Sequence, residues 1–299
     1  IRCVCILFGF STVLFAQTQL TEEDLKKKAD QLFEEENYAE ALSLFSQLSS
    51  NFKNHPEYLY KIGACKLFTE SNKENALFFI ELAEKKQKNA SSDIHYYLAK
   101  AYHLNYRFSE AIKYYTLYQT TGRKRGKVPV SREIEMCKNG QQLLNNVSDV
   151  IVSDKKILAQ EDFYKGYNLP ELKGKIILVP EEFLSKKDKA LGHKPVMFSN
   201  PKSQTLYFSS FGESGAHGKN IVSITKNLEG IFQKPVTLGS TINTPYDEDF
   251  PFLHPNGQVL YFASKGHNSM GGYDVFRSEY NPTTQSWETP KNVDFAISS

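Results

Sequence analysis

Three adjacent carboxylates are the residues that first suggest chemistry in this 299-residue chain. Asp247, Glu248 and Asp249 open the stretch DEDFPFLHPNGQVLYFASKGHNSMGGYDVF. Because adjacent side chains alternate across a strand or fan out over a turn, they do not form the facing pair that a glycosidase needs. They also lack the spaced Asp/Asn ladder of an EF-hand loop. We expect them to accept backbone N–H bonds from a neighbouring structural unit, and weak cation binding is the alternative interpretation.

The histidines of the same half, His193, His217, His254 and His267, lie in predicted loops without the spacing of metal ligands. The glycine-rich segment SKGHNSMGGYD follows one predicted strand and enters another, so no helix N-terminus is available there to bind a phosphate. The sequence has neither a serine elbow nor a Cys–His set. We therefore predict no catalytic residue, no metal and no cofactor, and we treat His267 with its loop as a candidate partner contact.

An earlier copy of the opening stretch lies upstream. TLYFSSFGESGAHGKNIVSI (205–224) aligns with VLYFASKGHNSMGGYDVFRS (259–278) at an offset of 54 residues. Each copy is predicted to be a four-stranded antiparallel unit with a tight turn, a glycine-rich loop and an outer strand, which lies near Trp287 in the second copy. The first copy differs from the second, since Asn220 replaces Asp274 and NPKSQ replaces the Asn-Gly turn. A catalytic set is not expected to recur as a unit of fold, so the copies favour a structural repeat.

The motifs FPFLHPNGQVLYFAS and GGYDVF resemble the TolB-like, WD-type propeller repeat, also called PD40-like. This resemblance implies that residues 150–299 are blades of a β-propeller. Two clear units and one irregular unit, which begins near YKGYNLPEL, are too few for a ring of about four to eight blades. We therefore expect the propeller to be incomplete and to continue beyond Ser299.

The front half has a helical period instead. Small residues recur at spacings of 34 to 36 residues, and large aromatic residues recur beside them. Two helices approach closely only where no large side chain intervenes, so small residues at fixed offsets predict repeated helix pairs. The small residues are Ala29, Gly63 and Ala99 in one series and Ala41, Ala76 and Ala111 in the other, and the large ones are Phe45, Phe79 and Tyr115.

The segment YYLAKAYHLNYRFSEAIKYYTLY resembles the tetratricopeptide repeat, with residues 17–122 covered by three copies. The resemblance implies a superhelix whose first helices line a concave groove for a peptide or another domain. The alternative is that the same residues are ordinary solvated positions of a helix face. The groove candidates carried over from the repeat are Lys26, Asp30, Tyr60, Tyr96, Lys100 and His103.

Residues 123–149 are predicted to be a linker followed by a capping helix. The basic run between 123 and 127 has no interleaved aromatic residue, which favours a solvated loop over a nucleic-acid contact. We expect Ser131 to cap a helix that reaches about Asn146, with Ile134, Leu143 and Leu144 facing inward.

Residues 1–16, an apolar run behind a single basic residue, are typical of a secretory signal peptide with cleavage after Ala16. The alternative is a buried apolar helix or an uncleaved anchor. The chain does not begin with Met, so we expect the sequence to be shortened at its front. A formal net charge of +2 does not favour nucleic acid or an anionic membrane surface as a partner. Cys65 and Cys137 have no CxxC spacing, and we expect both to be buried apolar residues.

The predicted fold class is α + β with two domains, an α-solenoid of tetratricopeptide repeats followed by an incomplete antiparallel β-propeller. This combination resembles Gram-negative envelope proteins of the OmpA family and accessory proteins of type IX secretion and gliding. The resemblance implies a non-enzymatic scaffold in the periplasm or at the outer membrane that binds envelope proteins through the helical groove and the propeller face. It also implies peptidoglycan association through an OmpA-like domain beyond Ser299. The alternative function is a propeller that binds or hydrolyses a glycan or peptide.

Overall fold

The computed structural model describes residues 21–52, 55–87, 92–121, 128–151, 155–167, 172–200, 202–213 and 218–298. The predicted signal peptide, the basic run of the linker and His217 lie outside these ranges. The chain divides into two compact units, residues 1–101 and residues 102–299. Within the described ranges, no helix combines the length and the apolarity that crossing a membrane requires.

Helices of 13 or 14 residues build the first unit. They are α1 (Glu22–Glu34), α2 (Tyr38–Asn51), α3 (Pro56–Thr69), α4 (Lys73–Lys86) and the greater part of α5 (Ser92–Leu104). Local signals explain their starts. The Thr21 hydroxyl accepts the N–H of Asp24 at 3.2 Å, and the Asn72 side chain accepts the N–H of Glu74 at 3.0 Å. Pro56 occupies the first turn of α3, where a missing N–H costs no helical hydrogen bond.

The small residues lie where the helices approach closely, which confirms the prediction from their spacing. Ala29, Ala41 and Ala76 are fully buried. At Gly63 of α3, a Cβ atom would lie 2.4 Å from Ile80 Cγ1 on α4, so only glycine fits without movement of the neighbouring helix. The first helices of the pairs begin at residues 22, 56 and 92, which reproduces the 34- and 36-residue spacing of the sequence.

The second unit begins with the last turn of α5 and continues with α6 (Phe108–Thr120) and α7 (Ser131–Leu144). The predicted capping helix is therefore present, but two details were wrong. Ser131 is the first helical residue, and the cap position belongs to Val130, whose side chain makes no capping hydrogen bond. Leu144 is 41% exposed, because α7 turns its buried face toward α6 through Cys137 and Gly140. A Cβ atom at Gly140 would overlap the ring of Phe108.

The rest of the second unit is antiparallel sheet with short helices. Short 3-10 helices lie at Gln160–Gly166 and Glu181–Phe183. The strands are β1 (Lys175–Leu178), β2 (Val196–Ser199), β3 (Thr205–Ser210), β4 (Asn220–Thr225), β5 (Val236–Thr237), β6 (Glu248–Leu253), β7 (Val259–Ser264), β8 (Asp274–Asn281), β9 (Ser286–Trp287) and β10 (Lys291–Asn292). The helices are α8 (Lys186–Ala190) and α9 (Phe295–Ser298).

The second copy, β6 to β10, has the predicted strand order. Strands β6, β7 and β8 pair antiparallel in sequence, and β9 and β10 both pair with β8. Its HPNG turn is closed by the N–H of Gly257, which donates to the carbonyl of His254 at 2.9 Å with Gly257 at a φ of +74°.

The first copy, β2 to β5, departs from the prediction of four paired strands. Strands β3, β4 and β5 pair in order, but β2 pairs with β1 in a separate two-stranded sheet. The NPKSQ segment has no glycine, although the Ser203 N–H donates to the Asn200 carbonyl at 2.9 Å as in the HPNG turn. The sheets of the described residues do not include a closed propeller ring.

Each strand copy buries one apolar face against the other. Ile221 of the first copy packs with Leu260, Phe262 and Phe276 of the second, and all four are almost completely buried. Phe208 faces the opposite way, into a cluster with residues of β1 and β2. Alternating burial along the strands thus joins the copies into one stack.

Candidate functional site

A charged cluster links α1 and α3 of the first unit. Lys26 Nζ lies 3.0 Å from Asp30 Oδ2 and 2.9 Å from Glu57 Oε1, and Lys61 Nζ lies 3.5 Å from Asp30 Oδ1. Hydrogen bonds to Glu57 and Asp30 raise the pKa of Lys26 above its usual value. These side chains are partly exposed. Their ion pairs therefore fix the positions of the charged groups on the surface but contribute little to stability.

Aromatic rings continue this surface along α3 and α5. The rings of Tyr60 and Tyr97 lie 6.2 Å apart between centroids, and Tyr96 contacts Tyr97 edge-on at 5.2 Å. Tyr60 is buried, and burial raises the pKa of its phenol. It therefore contributes more to packing than to exposed surface, whereas Tyr96 stays half-buried.

Phe68, at the end of α3, is the most exposed aromatic residue of the first helices that the structure describes. Its ring stacks on Tyr38 at 4.2 Å and is 42% exposed. The ammonium of Lys100 lies 4.9 Å from the Phe68 centroid and 5.8 Å from that of Tyr96. The Phe68 ring is therefore packed on one side by Tyr38 and flanked by the Lys100 ammonium.

Together these side chains form what we call the first-helix surface. It comprises Lys26, Asp30, Glu57, Lys61, Phe68, Tyr96 and Lys100. Glu57, Lys61 and Phe68 were missed in the sequence, because the 34-residue spacing of the first helices makes Tyr60 the equivalent of Lys26. Partner binding by the predicted residues stays a prediction.

His103, a groove candidate from the sequence, belongs to the second unit and has an internal partner there. Its Nε2 lies 2.7 Å from the carbonyl oxygen of Met270, and its ring meets Phe108 edge-on at 5.8 Å. The glycine-rich loop between β7 and β8 thus rests on the helical part of the same unit.

Two residues of α7 hold the same loop. The Asn139 amide donates to the carbonyl oxygen of Ser269 at 3.0 Å, and the Arg132 guanidinium donates to the carbonyl of Lys265. The Arg132 guanidinium also lies 3.2 Å from the ring centroid of Tyr246. The loop that was a candidate partner contact therefore makes contacts with its own chain.

His267 lies inside this loop with its backbone at a φ of +49°. Its Nε2 lies 2.9 Å from the carbonyl oxygen of Ile242, and its ring packs against Phe262 and Phe276. Burial lowers the pKa of His267 below its usual value, although the Ile242 carbonyl opposes that shift. The side chain fits a neutral packing role between the two strand copies.

Two of the three adjacent carboxylates, Asp247 and Asp249, connect the copies, and only Asp247 does so through the expected backbone N–H. Glu248 instead accepts from Thr244 and Ser264. Asp247 Oδ1 accepts the backbone N–H of Lys219, which precedes β4 of the first copy, at 2.9 Å. Asp249 is 4% exposed, accepts the Ser209 hydroxyl at 2.5 Å and pairs with the Lys219 ammonium. Their oxygens are thus occupied by donors of the protein itself.

Groups of three or more His, Cys, Asp or Glu side chains arranged to hold a metal ion do not occur among the described residues. Cys65 and Cys137 are both free thiols and fully buried, which confirms the expectation for them. Burial raises the pKa of each thiol to about 12, so neither is a nucleophile at neutral pH.

Comparisons with known proteins give a weak similarity in structure. No family model matches the sequence, and neither does any curated protein. Part of the chain is similar to the crystal structure of the Sgt2 TPR domain from Aspergillus fumigatus, at 20% identity and a TM-score of 0.36. The alignment covers 46% of this chain and 91% of that one. A similarity at this TM-score is too low to support a conclusion about the fold. The evidence for the helical repeat is therefore the spacing of the helices and the contacts of the small residues.

Proposed function

We propose that this chain is a non-enzymatic scaffold that binds a protein partner through its first-helix surface. The observation that carries the proposal is Phe68, an exposed ring that is fixed by stacking on Tyr38 and flanked by Lys100. A rigid aromatic side chain loses little conformational entropy on binding, and such side chains supply much of the affinity of protein interfaces.

The surroundings of Phe68 define the contact further. The Lys100 ammonium lies 4.9 Å from the centroid of the Phe68 ring, where a cation interacts favourably with an aromatic face. We propose that the partner presents an apolar side chain to Phe68, in an extended segment or a helix, and that a charge reversal at Lys100 disturbs this contact.

The cellular setting belongs to the same proposal. The apolar N-terminal run and the resemblance to OmpA-family and type IX secretion accessory proteins support an exported protein of the periplasm or outer membrane. Its partners would then be envelope proteins of a secretion, gliding or peptidoglycan-linked complex. Turnover of a glycan or peptide by the purified chain would contradict the non-enzymatic part.

Site-specific photo-crosslinking in cells tests the proposal. A photoreactive amino acid is placed at Phe68 of the full chain and, as the matched control, at Phe78 of α4, which is 61% exposed. We expect a discrete protein adduct from position 68 and none from position 78. The adduct should fall at least tenfold when Lys100→Glu is added. Equal adducts at both positions, or an adduct that is indifferent to Lys100→Glu, would contradict the proposal.

A further inference from the structure

The second unit contains a cavity of about 650 Å³ that the scaffold function does not use. It lies between the 3-10 helix at Gln160–Gly166, the β1–β2 hairpin and the second strand copy. Half of its 14 lining residues are aromatic, and none of these described residues carries a charge. Ligand pockets typically measure roughly 300–1,000 Å³ and have mostly apolar walls, so this cavity is of the size that holds a small molecule.

The backbone is strained at the rim of this cavity. Phe250 has a φ of +50°, in the left-handed region that a bulky side chain rarely adopts, and its ring is 48% exposed. The pairing of β6 with β7 shifts by one residue between Asp249 and Phe252, which marks a β-bulge. Bulges redirect side chains and recur next to functional sites.

A buried network holds the strained residue in place. The N–H of Phe250 donates to Asp249 Oδ1 at 2.9 Å, and the same carboxylate pairs with Lys219. The ring of Phe250 then meets Phe163 edge-on at 5.6 Å. The first copy has Lys194 at the corresponding position, without a positive φ, so the aromatic bulge belongs to the second copy alone.

Opposite the bulge, Phe198 of β2 meets Phe252 of β6 with 5.0 Å between ring centroids. Rings therefore border the cavity from two sheets and from the 3-10 helix. The described lining residues carry no charge, which favours an uncharged ligand, because burying an ion there without a partner would be costly. Rings in edge-on arrangement favour a planar ligand that can insert between them.

We propose that this cavity is a binding site for an uncharged, planar aromatic or hydrophobic small molecule. The bulge at Phe250 forms its rim, and the strand face of Ala263 and Val275 forms its floor. The site lies in the second unit and is independent of the first-helix surface.

Fluorescence titration of the full chain with N-phenyl-1-naphthylamine tests the site, because this uncharged probe brightens in apolar surroundings. We expect saturable binding of one probe per chain. The 8-sulfonate of the same probe, which differs by one negative charge, should bind at least tenfold more weakly. Ala263→Phe and Val275→Phe, which fill the cavity from the floor, should each weaken binding at least tenfold. Leu228→Ala, at a fully exposed apolar residue between β4 and β5, should leave it unchanged.

Circular dichroism and the melting temperature establish that each variant is folded. Non-saturable binding, equal binding of the sulfonate, or unchanged binding in a folded filled variant would each overturn the proposal. So would a concentration-dependent dimer of the wild type that both filled variants abolish, because a second copy would then occupy the cavity.

Discussion

In the first strand copy Ser210 donates its hydroxyl to Asp188 at 2.5 Å, and in the second copy Ser264 donates to Glu248 at 2.8 Å. Each serine ends a strand, and each carboxylate precedes that strand in the chain. The two carboxylates differ in length and in local structure, yet they fill the same role. What recurs between the copies is thus a hydrogen-bonding arrangement and not a residue type.

The pKa values of these two carboxylates are shifted in opposite directions. Burial alone would raise the pKa of Asp188, but hydrogen bonds from Ser210, Phe211 and Ser185 bring it below its usual value. Burial raises the pKa of Glu248, and its hydrogen bonds do not reverse the shift. The charged form therefore stabilises the first copy and is disfavoured in the second.

Removal of a core ring should have the largest effect and should be similar in both copies. Phe208 and Phe262 are equivalent residues with at most 1% exposure. We expect Phe208→Ala and Phe262→Ala each to lower the free energy of unfolding by about 3–5 kcal/mol, from lost burial and a residual cavity. Urea denaturation followed by circular dichroism measures this, with Leu228→Ala as the near-neutral control. A large loss in one copy and none in the other would break the equivalence.

Neutralising the carboxylates should distinguish the copies. Near pH 7, Asp188→Asn is expected to cost about 1–3 kcal/mol, because it disturbs hydrogen bonds to a buried charged acceptor. Since the folded-state pKa of Asp188 lies below its usual 3.8, the cost is present above pH 3.8 and disappears as the pH falls through the folded value.

Glu248→Gln should show the opposite trend. The folded-state pKa of Glu248 lies above its usual 4.5, so the wild type gains stability as the pH falls through the folded value toward 4.5. Gln cannot gain stability in this way. The stability of the variant relative to that of the wild type should therefore be highest near neutral pH. Melting temperatures from pH 2.5 to pH 8 measure both variants, and parallel pH profiles for the two would contradict the distinction.

A smaller difference in stability is expected at the side chains that bond the backbone of the third strand of each copy, which is β4 in the first and β8 in the second. The Asn243 side chain accepts the N–H of Ile221 at 2.7 Å and donates to two carbonyl groups. The Ser298 hydroxyl accepts the N–H of Val275 at 3.1 Å and donates to Asn292 Oδ1 at 3.3 Å, so it makes one bond fewer. We expect Asn243→Ala to cost about 1–3 kcal/mol and Ser298→Ala about 0.5–1.5 kcal/mol. Chemical denaturation checks the order, and the reverse order would show that the two positions are not comparable.

The smallest effect should be confined to the glycine-rich loop of the second copy. Removing the Asn139 amide leaves one loop carbonyl without its donor, so Asn139→Ala should cost about 0.5–1.5 kcal/mol. Hydrogen exchange of the loop amides should speed up by about threefold to tenfold, while that of β3 and β4 stays unchanged. Uniform acceleration across both copies would mean that the loop contact supports the whole unit.

Several features could be predicted from residues alone because their causes are local. Ala29, Gly63 and the other small residues predict where helices contact each other. The HPNG turn specifies the register of β6 and β7. The pairing of β2 with β1 could not be predicted in this way. It depends on which strands meet in the folded unit, since β1 and β2 are joined by a long connection that contains α8.

The contact of His103 with Met270 joins residues 167 positions apart. Nothing in either local sequence anticipates it, because it depends on how the helices pack against the strand region within the second unit. The exposure of Phe68 and the strain at Phe250 are likewise outcomes of tertiary packing. The repeat would not have identified Lys61 either, because its 34-residue spacing leads from Lys26 to Tyr60.

Calorimetric titration of the crosslinked partner into the purified chain measures binding through the first-helix surface. Phe68→Ser and Phe78→Ser form the matched pair, since both remove one exposed ring from the first unit. We expect Phe68→Ser to raise the dissociation constant at least tenfold and Phe78→Ser to change it less than twofold. Equal effects of the two variants, with both folded, would contradict binding through the first-helix surface.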